Sequence, residues 1–315
     1  MSIFKAREWF AAQVGANQEE EFAASCMCVA NVDSNAENYE SVVIGGLSGS
    51  LTVFGPSRDK GGDAETNASP EETVLETVMG APVLKLAAGR FSSANDRLCV
   101  AVLHPRKISV FVVIPAEGNV AYGKQYALNP IYSHNLERSA FSFAYGPFGG
   151  VKGKDYICVL SLDGTLSVFE QETPAFSRFL PNFLLPGPFL YVESTDSFVV
   201  TSSEFSIECY KYKSLAIPMS HSNPEDLMAK RLVPDWGFSF GENILDIQKV
   251  QFEAKTILVI LCDRALYALE DFGVIRFAKA LEYAPLALSS YATDYEDWVR
   301  LIISPAFYLF CFLIV

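Results

Sequence analysis

Few side chains in this sequence combine the residue type and the spacing that chemistry requires. Its three histidines, His104, His134 and His221, have no second ligand at a metal-site spacing, and neither His-x3–5-His nor Cys-x2-Cys occurs. The nearest approach is Cys26-x-Cys28, where one intervening residue in an alternating apolar run puts both thiols on one strand face. We therefore predict that this pair packs in the core and that the chain has no metal site.

A glycine-rich segment at residues 149–155 (GGVKGKD) has some features of a phosphate-binding loop. The Walker pattern would need glycine at Phe148 and serine or threonine at Asp155, and the sequence has neither. A carboxylate at position 155 would also repel a phosphate. The segment is instead predicted to form a turn between two strands.

Other catalytic patterns are also missing. No Gly-x-Ser-x-Gly elbow occurs, and no Gly-x-Gly-x-x-Gly follows an apolar strand. We predict no catalytic residue, no cofactor and no small-molecule substrate, and hence no enzyme. The alternative is a propeller enzyme, such as a hydrolase, whose acid–base pair converges at a channel end, because such a pair need not be close in sequence.

Charge and cysteine content narrow the classes of partner. The formal net charge is −13 and the isoelectric point about 4.7, so the surface repels nucleic acid and anionic lipid alike. Seven scattered cysteines do not make a disulfide framework. Four lie in apolar strand-like runs, which favours buried thiols in a reducing compartment.

The elements that would position any site come from an internal repeat. Each copy has an apolar run, a polar or glycine-bearing turn and a strictly alternating run, which is typical of a β-hairpin. The five copies are residues 42–54 (VVIGGLSGSLTVF), 99–111 (CVAVLHPRKISVF), 157–169 (ICVLSLDGTLSVF), 198–210 (FVVTSSEFSIECY) and 257–269 (ILVILCDRALYAL).

The first run of each copy is apolar on both faces, as in a sheet packed between two others. Further strand candidates lie between the copies, at 82–87, 140–144 and 245–250, so each unit has three or four strands. Because a long unit recurs, and not only its strands, we predict an all-β fold of the β-propeller class. An ordinary β-sandwich is the alternative.

Two connecting segments have opposite character. Residues 56–72 are polar and aperiodic and are predicted to be a mobile loop. Residues 176–191 (FSRFLPNFLLPGPFLY) are apolar, and their three prolines exclude a helix or a central strand. We interpret this segment as a connection between blades that packs on the core; the alternative is an exposed apolar strip for docking.

Several long motifs resemble one family. They are residues 1–9 (MSIFKAREW), 26–33 (CMCVANVD), 101–107 (AVLHPRK), 145–154 (YGPFGGVKGK), 168–172 (VFEQE), 178–188 (RFLPNFLLPGP), 231–236 (RLVPDW) and 273–277 (GVIRF). With the residues around them they resemble the N-terminal region of the parathyroid-hormone-responsive B1 family, also called the Bardet–Biedl syndrome protein nine family. The similarity runs from residue 1 to about residue 287.

The resemblance implies a seven-bladed propeller followed by an adaptin-ear-like domain, a platform and helical segments. It implies a non-catalytic scaffold or adaptor subunit of the BBSome, a coat-like complex that moves membrane proteins into and out of cilia. The implied partners are other BBSome subunits, with indirect contact to ciliary membrane cargo. The implied locations are the cytoplasm, the cilium, the ciliary membrane through the complex, and the basal body with its centriolar satellites.

The end of the chain departs from that family. We expect residues 1–304 to form an incomplete propeller of five to six blades, residues 305–315 to be an atypical apolar tail, and the later family domains to be absent. Unpaired sheet faces would make such a chain only marginally soluble. The alternative is a membrane-anchored fragment that uses residues 301–315, although these are too few to span a bilayer.

Overall fold

The computed structural model describes residues 20–23, 25–33, 40–55, 73–94, 97–115, 126–181, 183–217, 232–252, 255–292, 299–305 and 310–314. The predicted mobile loop at 56–72 and His221 lie outside the described residues. The chain divides into two compact units, Met1–Ser142 and Phe143–Val315.

The first unit contains two four-stranded antiparallel sheets, in which each strand pairs with the next one along the chain. The first sheet is β1 (Met27–Ala30), β2 (Ser41–Gly45), β3 (Ser50–Phe54) and β4 (Thr73–Val78). The second is β5 (Lys85–Gly89), β6 (Cys99–His104), β7 (Lys107–Pro115) and β8 (Tyr126–Asn135).

The second unit repeats this arrangement. Its four-stranded sheets are β9 (Ala140–Gly146), β10 (Tyr156–Ser161), β11 (Thr165–Glu170) and β12 (Thr173–Phe179); β13 (Phe189–Val192), β14 (Ser197–Ser202), β15 (Ser206–Lys211) and β16 (Trp236–Ser239); and β17 (Ile244–Phe252), β18 (Lys255–Cys262), β19 (Ala265–Glu270) and β20 (Ile275–Ala280). A three-stranded sheet follows, with β21 (Pro285–Ala292), β22 (Val299–Pro305) and β23 (Phe310–Ile314). A short α-helix, α1 (Tyr212–Ala216), follows β15, and a single 3-10 turn covers Phe148–Gly150 between β9 and β10.

The five predicted hairpins are the two central strands of the five four-stranded sheets. In three of them the first and thirteenth positions of the repeat pair directly: Val42 with Phe54, Ile157 with Phe169, and Phe198 with Tyr210. The strand candidates at 140–144 and 245–250 are confirmed as β9 and β17. The candidate at 82–87 begins later than predicted, at Lys85.

Burial explains why the central strands are apolar on both faces. Every residue of β6 is buried, and so is every residue of β18 after Lys255. Core clusters join successive sheets: Val53 packs in one cluster with Val102, Leu160 with Phe198, and Ile207 with Leu258. The predicted class, an all-β propeller whose units have three or four strands, is confirmed; the described part of the chain has five four-stranded sheets and one three-stranded sheet.

The predicted burial of the four cysteines in the repeat copies is confirmed, and six cysteines have described side chains. All six are free thiols. The four in the repeat copies, Cys99, Cys158, Cys209 and Cys262, are at most 1% exposed. Cys26 and Cys28 pack in the same cluster as Val43 and Leu51, as predicted for core residues.

Part of the predicted apolar tail at residues 305–315 forms the last strand. Phe310–Ile314 is a strand that pairs with β22 along residues 299–303. The boundary at residue 304 and the lack of later domains stay predictions. Among the residues that the structure describes, no helix is both long and apolar enough to cross a membrane.

Candidate protein-interaction site

The histidines and cysteines that the structure describes do not form a metal site. In the described ranges no three His, Cys, Asp or Glu side chains come close enough to hold a metal ion. His104 is buried, and its Nδ1 lies 2.9 Å from the carbonyl oxygen of Pro82. His134 lies on β8 beside the ring of Tyr132. Burial raises the pKa of the Cys28 thiol to about 12. Such a thiol is protonated at neutral pH and is a poor nucleophile.

The glycine-rich segment at 149–155 is a turn between β9 and β10, as predicted. The residue before it, Phe148, is fully buried against the rings of Tyr191 and Phe198. The amide of Gly149 donates to Asp196 Oδ1 at 3.0 Å, and the Tyr191 hydroxyl donates to the same oxygen at 2.8 Å. The amide that a phosphate would need is thus bonded to a carboxylate of the chain itself.

The proline-rich run is the feature that the structure singles out. Its first residues belong to β12, an outer strand of its sheet, and the β12–β13 connection is residues 180–188. Leu180 and Phe183 are buried, in accord with a connection packed on the core. Leu184 and Leu185 point the other way and are 81% and 73% exposed. Both interpretations of the sequence therefore describe part of this segment.

The buried half of the connection depends on the hairpin turn of the sheet before it. The Leu180 amide donates to the Gly164 carbonyl at 3.0 Å. Gly164 has φ +83°, and a Cβ there would come within 2.6 Å of the Phe183 ring. Glycine is required on both counts, because the left-handed region disfavours a side chain and the ring occupies the space.

The exposed half is held by the hairpin turn of the next sheet. Ser203, in the β14–β15 turn, accepts hydrogen bonds from the amides of Leu184 and Leu185 on its Oγ, at 2.6 and 3.1 Å. At the far end the Thr201 amide donates to the Pro188 carbonyl at 3.3 Å. Since prolines supply no amide to a strand ladder, these side bonds are what fix the connection.

Other exposed apolar side chains lie on the same turns and strand end. We define the apolar strip as Leu162, Phe179, Leu184, Leu185 and Phe205, each at least 49% exposed. Leu162 begins the turn that contains Gly164, Phe179 ends β12, and Phe205 ends the turn that contains Ser203. The strip therefore follows one continuous set of bonded segments in the second unit.

The charges beside the strip are acidic. Asp163 lies next to Leu162, and Glu204 lies next to Phe205; both are exposed. The cation before Phe179, Arg178, donates through Nε to the Leu215 carbonyl at 2.7 Å.

The sequence singled out residues 176–191 but missed Leu162 and Phe205. A hydrophobic residue in a hairpin turn is the signal that would have found them.

Comparison with families and relatives gives a consistent picture. Residues 1–305 match the family described as PTHB1 N-terminal. The chain is 41% identical over 310 residues to Protein PTHB1 of Xenopus laevis and to Protein PTHB1 of Homo sapiens, with 96% of this chain covered in each case. The matches cover 36% and 34% of those relatives. The chain thus spans about a third of the length of the curated relatives it matches.

Solved structures share the fold at low sequence identity. A crystal structure of BBS1N in complex with ARL6DN is 12% identical, with a TM-score of 0.54, and the match covers 94% of this chain and 92% of that one. Saccharomyces cerevisiae Sqt1 is 11% identical, with a TM-score of 0.56, and the match covers 84% of this chain and 65% of that one. At these identities the likeness concerns the fold alone.

Proposed function

Because this chain belongs to the PTHB1 N-terminal family, we propose that it is a non-catalytic propeller scaffold that binds other subunits of the BBSome. Through that complex it supports the movement of membrane proteins to and from the cilium. In this proposal the chain acts in the cytoplasm, at the ciliary membrane and at the basal body. Contact with membrane cargo is indirect in this proposal.

The observation that carries the proposal is the apolar strip. Leu184 and Leu185 are exposed side chains on a backbone that is already bonded to Ser203. Binding there costs less ordering entropy than binding to a free loop. Burying a leucine side chain contributes about 1.5–3 kcal/mol, so two leucines and a phenylalanine make a sufficient anchor for a protein partner.

The charge of the chain favours a protein as the occupant. A net charge of −13 works against nucleic acid and against anionic lipid surfaces. A protein partner tolerates acidic neighbours such as Asp163 and Glu204 when its own rim carries basic groups. A protein with the same fold, BBS1N, was solved in complex with ARL6DN, so this fold is able to hold a protein partner.

The test is recovery of partners from ciliated cells that express the tagged 315-residue chain. Wild type should recover other BBSome subunits. The double variant L184E/L185E should recover at least about tenfold less, because two charges would enter an apolar contact. Quantitative mass spectrometry of the captured proteins measures the difference.

The matched control is F272E/V274E, which places two charges at exposed apolar positions in the β19–β20 turn of the same unit. This control should recover the same subunits as wild type. The proposal is wrong if wild type recovers no BBSome subunit, or if both double variants behave like wild type.

A further inference from the structure

A second concave site lies in the first unit and shares no residue with the apolar strip. A pocket of about 400 Å³ opens between the β4–β5 connection, residues 79–84, and the β6–β7 hairpin. We call it the basic pocket and define it by Met79, Pro82, His104, Arg106, Lys107 and Phe111. It is large enough for one amino-acid side chain and the backbone beside it.

The pocket changes from apolar at depth to cationic at its mouth. Lys107, Ser109 and Phe111 line it together, as the period-two geometry of strand β7 requires. Lys107 is exposed, Ser109 is buried and Phe111 is half-buried. Across the pocket from β7, Met79 packs against the same core cluster as Phe111. A ligand that fits must therefore have an apolar part and an anionic part.

The cation of Arg106 is held in place. Its Nε and Nη2 each donate at 3.0 Å, to the carbonyl oxygens of Leu136 and Glu137. A guanidinium has five N–H groups, so these two bonds fix its plane and leave donors for a ligand. Because the side chain is already ordered, an anion that binds it loses little further entropy.

The second cation, Lys107, has no ion-pair partner among the residues that the structure describes. It lies at the first position of β7, directly opposite His104. The adjacent Arg106 bonds to carbonyl oxygens, so neither cation forms an ion pair with a carboxylate of the described residues. Two adjacent cations without a counter-ion are unusual in a chain of net charge −13.

His104 adds a polar group to the pocket wall. A carbonyl oxygen only accepts, so the Nδ1 that lies 2.9 Å from the Pro82 oxygen carries the proton. This hydrogen bond also holds Pro82, and with it the wall that the β4–β5 connection supplies.

From this arrangement we propose that the basic pocket binds a short acidic peptide segment of a partner protein. An apolar side chain of the peptide segment occupies the space over Met79 and Phe111. Carboxylates of neighbouring Asp or Glu residues in the segment bind Arg106 and Lys107. A polyanion such as nucleic acid does not fit, because the acidic remainder of the surface repels it. A small inorganic anion would leave the apolar part of the pocket empty.

The experiment selects a displayed random heptapeptide library on the immobilised 315-residue chain. The expected result is enrichment of sequences that pair Asp or Glu with one large apolar residue. A fluorescein-labelled copy of the most enriched peptide is then titrated in fluorescence anisotropy. For K107E we expect Kd to rise about fivefold or more, because an attraction becomes a repulsion, and higher salt should weaken binding to wild type.

Two control variants separate the pocket from general effects. K152E makes the same charge change at an exposed lysine of the second unit. Ala81 also lines the basic pocket, so A81F adds bulk there, and A175F adds the same bulk at an exposed position of β12. K152E and A175F should bind like wild type, and A81F should lose binding. Circular dichroism of each variant establishes that it is folded.

Three results would overturn the proposal: no acidic-apolar enrichment on folded wild type, equal binding by K107E and K152E, or equal binding by A81F and A175F. Selection of basic peptides would also overturn it. The double variant L184E/L185E, which disrupts the apolar strip, should bind the enriched peptide with the same affinity as wild type. Failure of the basic-pocket proposal can therefore be distinguished from failure of the proposed scaffold role.

Discussion

The connections β4–β5 and β12–β13 occupy the same place in the repeat but present opposite surfaces. Each leaves the outer strand of one sheet and passes beside a hairpin turn of the next sheet. In the first connection Val83 is fully buried and the outward groups are the cations of the facing β6–β7 hairpin. In the second, two leucines point outward beside a turn that carries Glu204 and Phe205.

Length and proline content account for the difference. The first connection bonds directly to backbone, through the Val83 amide to the carbonyl of Gly46 in the β2–β3 turn and the Leu84 amide to the carbonyl of Leu103 in β6. The second is longer and has prolines at 181, 186 and 188, so it relies on Ser203 Oγ for its amides. A segment bonded by a side chain stands away from the sheet and exposes what a laddered segment would bury.

The largest expected effect tests how tightly the second connection is fitted to its turn. Gly164→Ala should lower the free energy of unfolding by about 2–4 kcal/mol, since it combines a left-handed backbone with a contact on Phe183. Gly80→Ala, at φ +72° with open space around it, should cost only about 1–2 kcal/mol. Urea denaturation measures both, and equal losses would contradict the fitted packing.

A truncation in each connection tests the contrast in burial. Val83→Ala should cost about 2–3 kcal/mol, because two buried methyl groups are removed and a cavity remains. Leu184→Ala should change the free energy of unfolding by no more than about 0.5 kcal/mol, because the side chain is exposed. Thermal melts of the two variants measure the two losses of stability. A larger loss in Leu184→Ala than in Val83→Ala would contradict the contrast in burial.

The smallest effect concerns the serine that holds the exposed half. Ser203→Ala should cost about 1 kcal/mol and speed hydrogen exchange at the Leu184 and Leu185 amides about fivefold. Ser177→Ala is the control, because Ser177 bonds only to the Ser167 hydroxyl. Mass-spectrometric exchange on peptides that cover residues 180–188 reads both variants. Unchanged exchange in Ser203→Ala would show that another contact holds the leucines.

The central hairpins and the outer strands β5, β9 and β17 were predictable, but the last strand of each four-stranded sheet was not. The pairs β2–β3 and β10–β11 carry alternation and turn residues within one short window, and burial on both faces keeps the pattern apolar. An outer strand such as β20 (Ile275–Ala280) is mostly exposed, so its residues carry little apolar pattern. Its place depends on pairing with β19.

The candidate surfaces were only partly predictable. The run at 176–191 was visible as apolar and rich in proline, but Leu180 and Leu184 look alike in a sequence. The basic pocket had a signal that was not used: Arg106 and Lys107 occupy the turn of the second repeat copy in a chain of net charge −13. Sequence did not show that Met79 and Pro82 would form the opposite wall.

By itself the sequence determined the all-β class, the five hairpins, the buried thiols and the family, because these depend on local periodicity and on motifs read along the chain. The tertiary structure decided which apolar residues of one connection face water and which cations border a pocket. Those outcomes depend on hydrogen bonds between segments far apart in the chain, such as Ser203 to Leu184 and Arg106 to Leu136, and no local pattern encodes such bonds.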